Sequence, residues 1–345
     1  LRWPNIDHQA IEARHVTPLA GIDHQVRIHP EPGHAGGNYY WIVAILDAAR
    51  EMDLGVLLTG QMGNDRISWA GHDRIVWDLL RRGRAASAWH RLRAWKEHQR
   101  VSWMLSVRRQ ILSPLRAAAV GTLYPLRRRL RPVWMSYSAI HPAFARRIRL
   151  RQLMDEAGHD PTFGRYPSPR AARLALLLPA SDTAGATWQE LGTAWGLEVR
   201  DPTRDSALVE FCLGIPDEQH LDRGTHRWLI RRGMRGLLPE EVRCNTKLGL
   251  QAADLHHRFR ADLSACQERL ELMGRSPSCR EYLDLGRMRE VARELSRTAT
   301  PEGMRRIVHE LARGLSVGSY LLGIEGRKPS ERTKETVKKG LRLAE

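Results

Sequence analysis

The sequence predicts an α/β fold in which the end of a parallel sheet is followed by a mostly helical region. Three observations point there. An apolar run, Val56-Leu57-Leu58, ends in Thr59 and a cluster of turn residues: Gly60, Gln61, Gly63, Asn64 and Asp65. Helical periodicity lies on both sides of it, and a short apolar strand in that setting reads as a buried parallel strand. From residue 171 onward the apolar spacing is helical almost throughout. By its spacing alone the glycine turn is an ordinary βα connection. Ligands of open α/β sheets nevertheless gather past the carboxyl ends of such strands, where glycines let backbone amides approach a phosphate.

Taken in order, residues 1–9 begin abruptly, as if mid-domain. Residues 26–39, with Pro30, Pro32, Gly33, Gly36 and Gly37, read as loop. Asn38 is placed to cap a helix over Tyr39–Met52, in which Ile42, Ile45, Leu46 and Ala49 share one face. The strand spans 54–59, and a helix over 72–82 follows with Ile75, Val76, Leu79 and Leu80. Residues 84–112 read as helices whose Trp89, Leu92, Trp95, Trp103, Met104 and Leu105 form apolar core faces. Residues 113–170 mix prolines with arginine runs (Arg127 to Arg131, Arg146 to Arg151) and read as a poorly structured connector with short helices. Helices are expected over Arg170–Ala180 and Thr187–Trp195. Asp205 should cap a helix that stops before Pro216. Further helices are expected over 224–236, 253–273, 279–296 and 301–314. The basic tail from 325, with Lys328, Lys334, Lys338 and Lys339, reads as disordered. The resulting partition is 1–112 for the α/β core, 113–170 for the connector, 171–324 for the helical part and 325–345 for the tail.

Composition bounds the function. The chain has 345 residues, 42% of them hydrophobic, enough for one large or two ordinary domains. It has no apolar run long enough for a membrane helix and no signal-peptide pattern, so neither a membrane nor a secretory route is implied. Cys212, Cys244, Cys266 and Cys279 match neither a zinc ribbon nor a redox pair, and scattered thiols of this kind suit burial in a reducing cytoplasm. The formal charge is +16. Of the 55 basic residues only Lys96, Lys247 and four in the tail are lysines. The basic residues are spread along the whole chain and aromatics are few, so solvated helix faces explain this charge better than nucleic acid does.

At the glycine turn the residues resemble a known family. Val56 to Asp65 is similar to the second nucleotide-site motif of asparagine synthetases, a strand ending in S/T-G-x-G-x-D-E. Pro4 to His8 looks like the family's segment in which a strand approaches a His. Asn38 to Trp41 resembles the start of the helix before the motif strand. Arg200-Asp201-Pro202-Thr203-Arg204-Asp205 looks like R-x-P-F-L-D. Leu237 to Val242 resembles L-P-x-E-[IV], and Arg243 to Gln251 looks like the R-x-K-x-G segment. The order and spacing hold from residue 1 to about 260. The variant forms, including Gly249 to Asp254, look most like the branch of asparagine-synthase-related proteins that includes lasso-peptide macrolactam synthetases.

The resemblance implies a Rossmann-like sheet of the adenine-nucleotide alpha-hydrolase type, here truncated, and a two-stage reaction. ATP, with Mg²⁺, adenylylates a carboxylate; ammonia or an amine then displaces AMP to form an amide. Aspartate to asparagine is the default, and a peptide's N-terminal amine joining an Asp or Glu side chain is the alternative within the class. The resemblance places Lys247 on the phosphates or the adenylate, and Gln61 where some members carry a Glu that contacts the reacting intermediate. It places Thr59, Gly60, Gly63 and Arg243 on the nucleotide. The family's metal-holding Asp is here Asn64, a poor Mg²⁺ ligand, with Asp65 beside it. The first phosphate loop, S-G-G-x-D-S, and the N-terminal Cys of a glutaminase have no counterpart in the sequence. The chain therefore reads as a piece of a longer protein, lacking its glutaminase region and inactive by itself. The reading from another class is a catalytically inactive domain that serves as a binding partner or scaffold.

Overall fold

In the computed structural model, β1 (Val56–Leu58) and β2 (Glu198–Arg200) lie parallel, with Val56 opposite Glu198, Leu57 opposite Val199 and Leu58 opposite Arg200. The described residues are 4–29, 31–33, 35–71, 75–115, 133–157, 169–175, 177, 184–246, 249, 251–297 and 300–326. β2 was not expected from the sequence. It emerges where Gly196, at φ +76°, turns the chain out of the helix Ala184–Ala194, and Val199 is its buried residue. The parallel pairing of β1 agrees with the sequence, but its burial does not. Val56 is 45% and Leu58 65% exposed. Among the described residues β1 pairs along one edge only, and the face that carries these two side chains is left partly open.

The chain divides into two compact units, each assembled from separated stretches. The first comprises Leu1–Ala48, Trp134–Gln152 and Gln251–Glu345, and the second Ala49–Val133 and Leu153–Leu250. The linear partition read from the sequence is organised differently, and its tail beyond 326, like 116–132 and 158–168 of the connector, lies outside the described residues.

The second unit holds the sheet and an apolar cluster of Ile75, Val76, Leu79, Ala88, Leu92 and Leu221. The helices Ile75–Arg81 and Ala85–Gln99 supply most of it. Trp89 and Trp103 are not core. They are 58% and 39% exposed and stack on each other at 5.0 Å and 6°. Met104 is 80% exposed. Helical spacing marks a face; whether another element covers that face is decided by tertiary packing. The segment expected to start a helix at 224 instead forms a hairpin of β3 (Leu221–Asp222) and β4 (Thr225–His226). Arg223 and Gly224 both have positive φ, +49° and +82°, as a two-residue hairpin turn demands. The helix begins only at Trp228. Asp205 caps the helix Ser206–Gly214 as expected, accepting from the Leu208 N–H at 2.9 Å.

The first unit is helical. Pro18–Ile28 packs on the C-terminal run Arg313–Gly326, and Leu263–Arg275 on Leu285–Glu294. Ile22, Phe259, Leu270, Met273, Met288, Leu311 and Leu315 form its interior. The long helices expected over 253–273 and 279–296 are each broken. Asp262, at φ −98° and ψ 25°, separates Leu255–Ala261 from Leu263–Arg275. Leu283 leaves the helix to bridge Ile140, and Asp284 then caps the next helix through the Arg287 N–H. Tyr39–Glu51 is helical as expected, although the Asn38 side chain accepts from the Trp41 indole at 3.3 Å. No helix among the described residues is long and apolar enough to cross a membrane.

Candidate functional site

The turns that follow β1 and β2 lie side by side in the second unit. The Thr59 N–H donates to the Arg200 carbonyl at 2.8 Å, extending the parallel ladder one residue past β1. The chain then turns through Gly60 and Gln61, and the Gly63 N–H returns to the Gly60 carbonyl at 3.1 Å to open the 3-10 turn Gly63–Asp65.

Asp201, the residue after β2, ties the two turns together. One carboxylate oxygen accepts from the Met62 N–H at 3.1 Å; the other accepts from the Thr203 N–H at 3.0 Å and the Thr203 hydroxyl at 2.5 Å. An ionised acceptor holding three donors fixes both loops to one another. Asp followed by Pro202 and Thr203 is the local signal for such a side-chain-closed turn. The motif containing Asp201 was visible in the sequence, but this role was not.

Gly60 and Gln61 are exposed. Their N–H groups donate to no protein acceptor among the described residues. A Cβ added at Gly60 would meet nothing within 4 Å. This gives an open backbone surface with two unspent donors at the carboxyl end of a parallel pair, which fits the oxygens of a nucleotide. Gly63 does not share that surface: it is buried, and an added Cβ would lie 3.4 Å from the Thr203 methyl.

Asn64 is engaged elsewhere. Its Oδ1 accepts from Arg227 Nη1 at 2.7 Å, and the same guanidinium nitrogen donates to the Ser68 carbonyl and hydroxyl, both at 2.8 Å. Arg227 sits in the left-handed region at φ +60°, and no sequence signal marked it. An oxygen already facing a guanidinium does not suit Mg²⁺, which seeks anionic or water oxygens. Asp65 is half-buried in the same turn. No group of three or more His, Cys, Asp or Glu residues placed to hold a metal occurs among the described residues.

Lys247 lies outside the described residues, but the segment leading to it is held firmly. Arg231 donates to the carbonyls of Arg243 and Asn245, the latter at 2.6 Å, and to His226 at 2.9 Å. Arg243 returns a bond to the Arg231 carbonyl at 3.1 Å and grips Glu240 with two nitrogens at 2.8 and 2.6 Å. That bidentate bond holds the Glu240 carboxyl below the usual carboxylate range and raises the Arg243 guanidinium. The Arg243 guanidinium, expected on the nucleotide, is thus occupied in building the approach to Lys247. The structure brings Thr59, Gly60, Gln61, Gly63, Asn64 and Asp65 together on one turn.

The sequence model described as asparagine synthase matches residues 40–315. No curated protein and no solved structure matches the chain. The family is one of ATP-dependent amide ligases. The match takes in both strands, both turns and the Arg231–Asn245 segment, and it covers most of the 345 residues: the chain belongs to the asparagine synthase family.

Proposed function

We propose that the protein acts in an ATP-dependent amide-forming ligase of the asparagine-synthetase type. The observation that carries the reading is the pair of strand-end turns locked by Asp201, with the Gly60 and Gln61 N–H groups open beside them. A substrate carboxylate oxygen attacks the α-phosphorus of ATP; the bond to the bridging oxygen breaks and pyrophosphate leaves. Ammonia or an amine then attacks the acyl carbon, loses a proton, and AMP leaves with its oxygen. The chemistry asks for positioning and for neutralising phosphate charge. Thr59 and Gly60 meet the nucleotide through backbone, Gln61 faces the reacting acyl group, and Lys247 follows the phosphate oxygens as a flexible point charge. Aspartate is the first carboxylate to test, and a peptide with an Asp or Glu side chain the second.

ATP–pyrophosphate exchange by the full-length protein tests this directly. Exchange should require a carboxylate, and Lys247→Ala should lower it at least a hundredfold with the circular dichroism unchanged. Equal exchange in variant and parent would remove Lys247 from the mechanism.

A second reading is favoured by Asn64, whose oxygen is spent on Arg227. On that reading the domain has lost metal-assisted chemistry and serves as a binding scaffold. Absence of exchange with every carboxylate and peptide offered would favour it.

A further inference from the structure

The first unit contains a cavity of about 290 Å³ that the ligase reading does not use. His256 lines it, is 4% exposed, and has no hydrogen-bond partner at either ring nitrogen. A buried imidazole carries at least one N–H in any protonation state, and such a group is normally satisfied. Glu294 and Glu302 are also on the wall, but their charge is taken up: Arg306 holds Glu294 with bonds of 2.8 and 2.7 Å, and Arg305 holds Glu302. Arg297, on the rim, has no hydrogen-bond or ion-pair partner for its guanidinium among the described residues. Val291 and Ile307 supply buried apolar wall.

We infer that this cavity binds a small carboxylate with a short branched apolar body, its oxygens on Arg297 and the His256 ring and its carbon chain against Val291 and Ile307. The planar guanidinium fork matches a carboxylate, the apolar wall favours an organic acid over an inorganic anion, and the volume sets the size at the lower end of small-molecule pockets.

Equilibrium dialysis of the full chain against radiolabelled isovalerate tests the inference. Saturable binding at one site per chain is expected, displaced by unlabelled isovalerate and at least tenfold more weakly by isovaleramide or inorganic phosphate. Arg297→Ala, an exposed position that should leave the fold intact, is expected to weaken binding at least tenfold, and His256→Phe to abolish it. Unsaturable uptake, equal competition by the amide, or an unchanged dissociation constant in Arg297→Ala would each overturn the site. Competition by phosphate as strong as that by isovalerate would overturn the carboxylate assignment. The readout is independent of pyrophosphate exchange, so the two proposals fail separately.

Discussion

Asp201 and Lys247 show two ways in which a single residue can matter to one site. Asp201 acts through geometry that is fully in place, accepting from donors on both turns. Asp201→Ala would leave the Met62 and Thr203 N–H groups without their acceptor, a loss of about 1–3 kcal/mol. Urea denaturation should register it, and Asp201→Asn, which keeps one acceptor oxygen, should lose less. An Asn variant as unstable as the Ala variant would mean that the carboxylate's shape rather than its acceptors holds the turns. Lys247 is legible only through the family resemblance, to which the scarcity of lysine in so Arg-rich a chain adds a little. Arg227 carried neither kind of signal. An Arg in the left-handed region is unusual, and its partners, Asn64 and Ser68, are more than 150 residues away in sequence.

At the scale of elements, local chemistry was legible and covering was not. The capping Asp205, the helix Tyr39–Glu51 and the strand-to-turn passage at Leu58–Thr59 all rest on neighbouring residues, and all agree with the sequence. β2 escaped because a three-residue strand with one inward side chain leaves almost no periodicity to read. The hairpin at 221–226 escaped because Arg223 takes a conformation more typical of Gly or Asn. The Trp stripe failed for a different reason: Trp89 and Trp103 cover each other instead of joining the interior. The Arg231 clasp is the element-level device closest to function. Arg231→Ala should free the 240–246 stretch, seen as faster amide hydrogen exchange there, and lower pyrophosphate exchange at least tenfold with Lys247 untouched. Unchanged protection in that stretch would show that the short helix Glu240–Arg243 holds itself.

At the scale of the whole molecule, the two units interleave along the chain, so no linear partition could have found them. In the first unit Tyr40 donates to Asp254 at 2.5 Å across 214 positions, and Arg258 reaches the Ala13 carbonyl at 2.7 Å. Each unit also carries a histidine with a depressed pKa, buried in the second unit and half-buried in the first. Burial pushes His220, in the second unit, down to about 4, with Arg173 adding to it. Burial does the same to His309, in the first, with Arg313 and Arg305 adding. The folded values lie below the ordinary 6.5, so between pH 6.5 and 4 the unfolded chain binds protons that the folded chain does not. Stability should therefore fall as pH falls through that window, by on the order of 1 kcal/mol for each ring. Urea midpoints at pH 7 and pH 4.5 check this; identical midpoints would mean that neither ring is kept neutral by the fold.

The cysteines give the molecule a chemical address. Cys212, Cys266 and Cys279 are buried, and burial lifts the Cys266 thiol to about 12, whereas Cys244 is exposed. A small disulfide reagent should therefore react quickly with one thiol per native chain and with all four after denaturation. Cys244 sits inside the Arg231 clasp, three positions before Lys247. A fluorophore attached there would report nucleotide binding without a label elsewhere on the protein, and fast modification of a second thiol would show that one of the buried three is reachable from solvent.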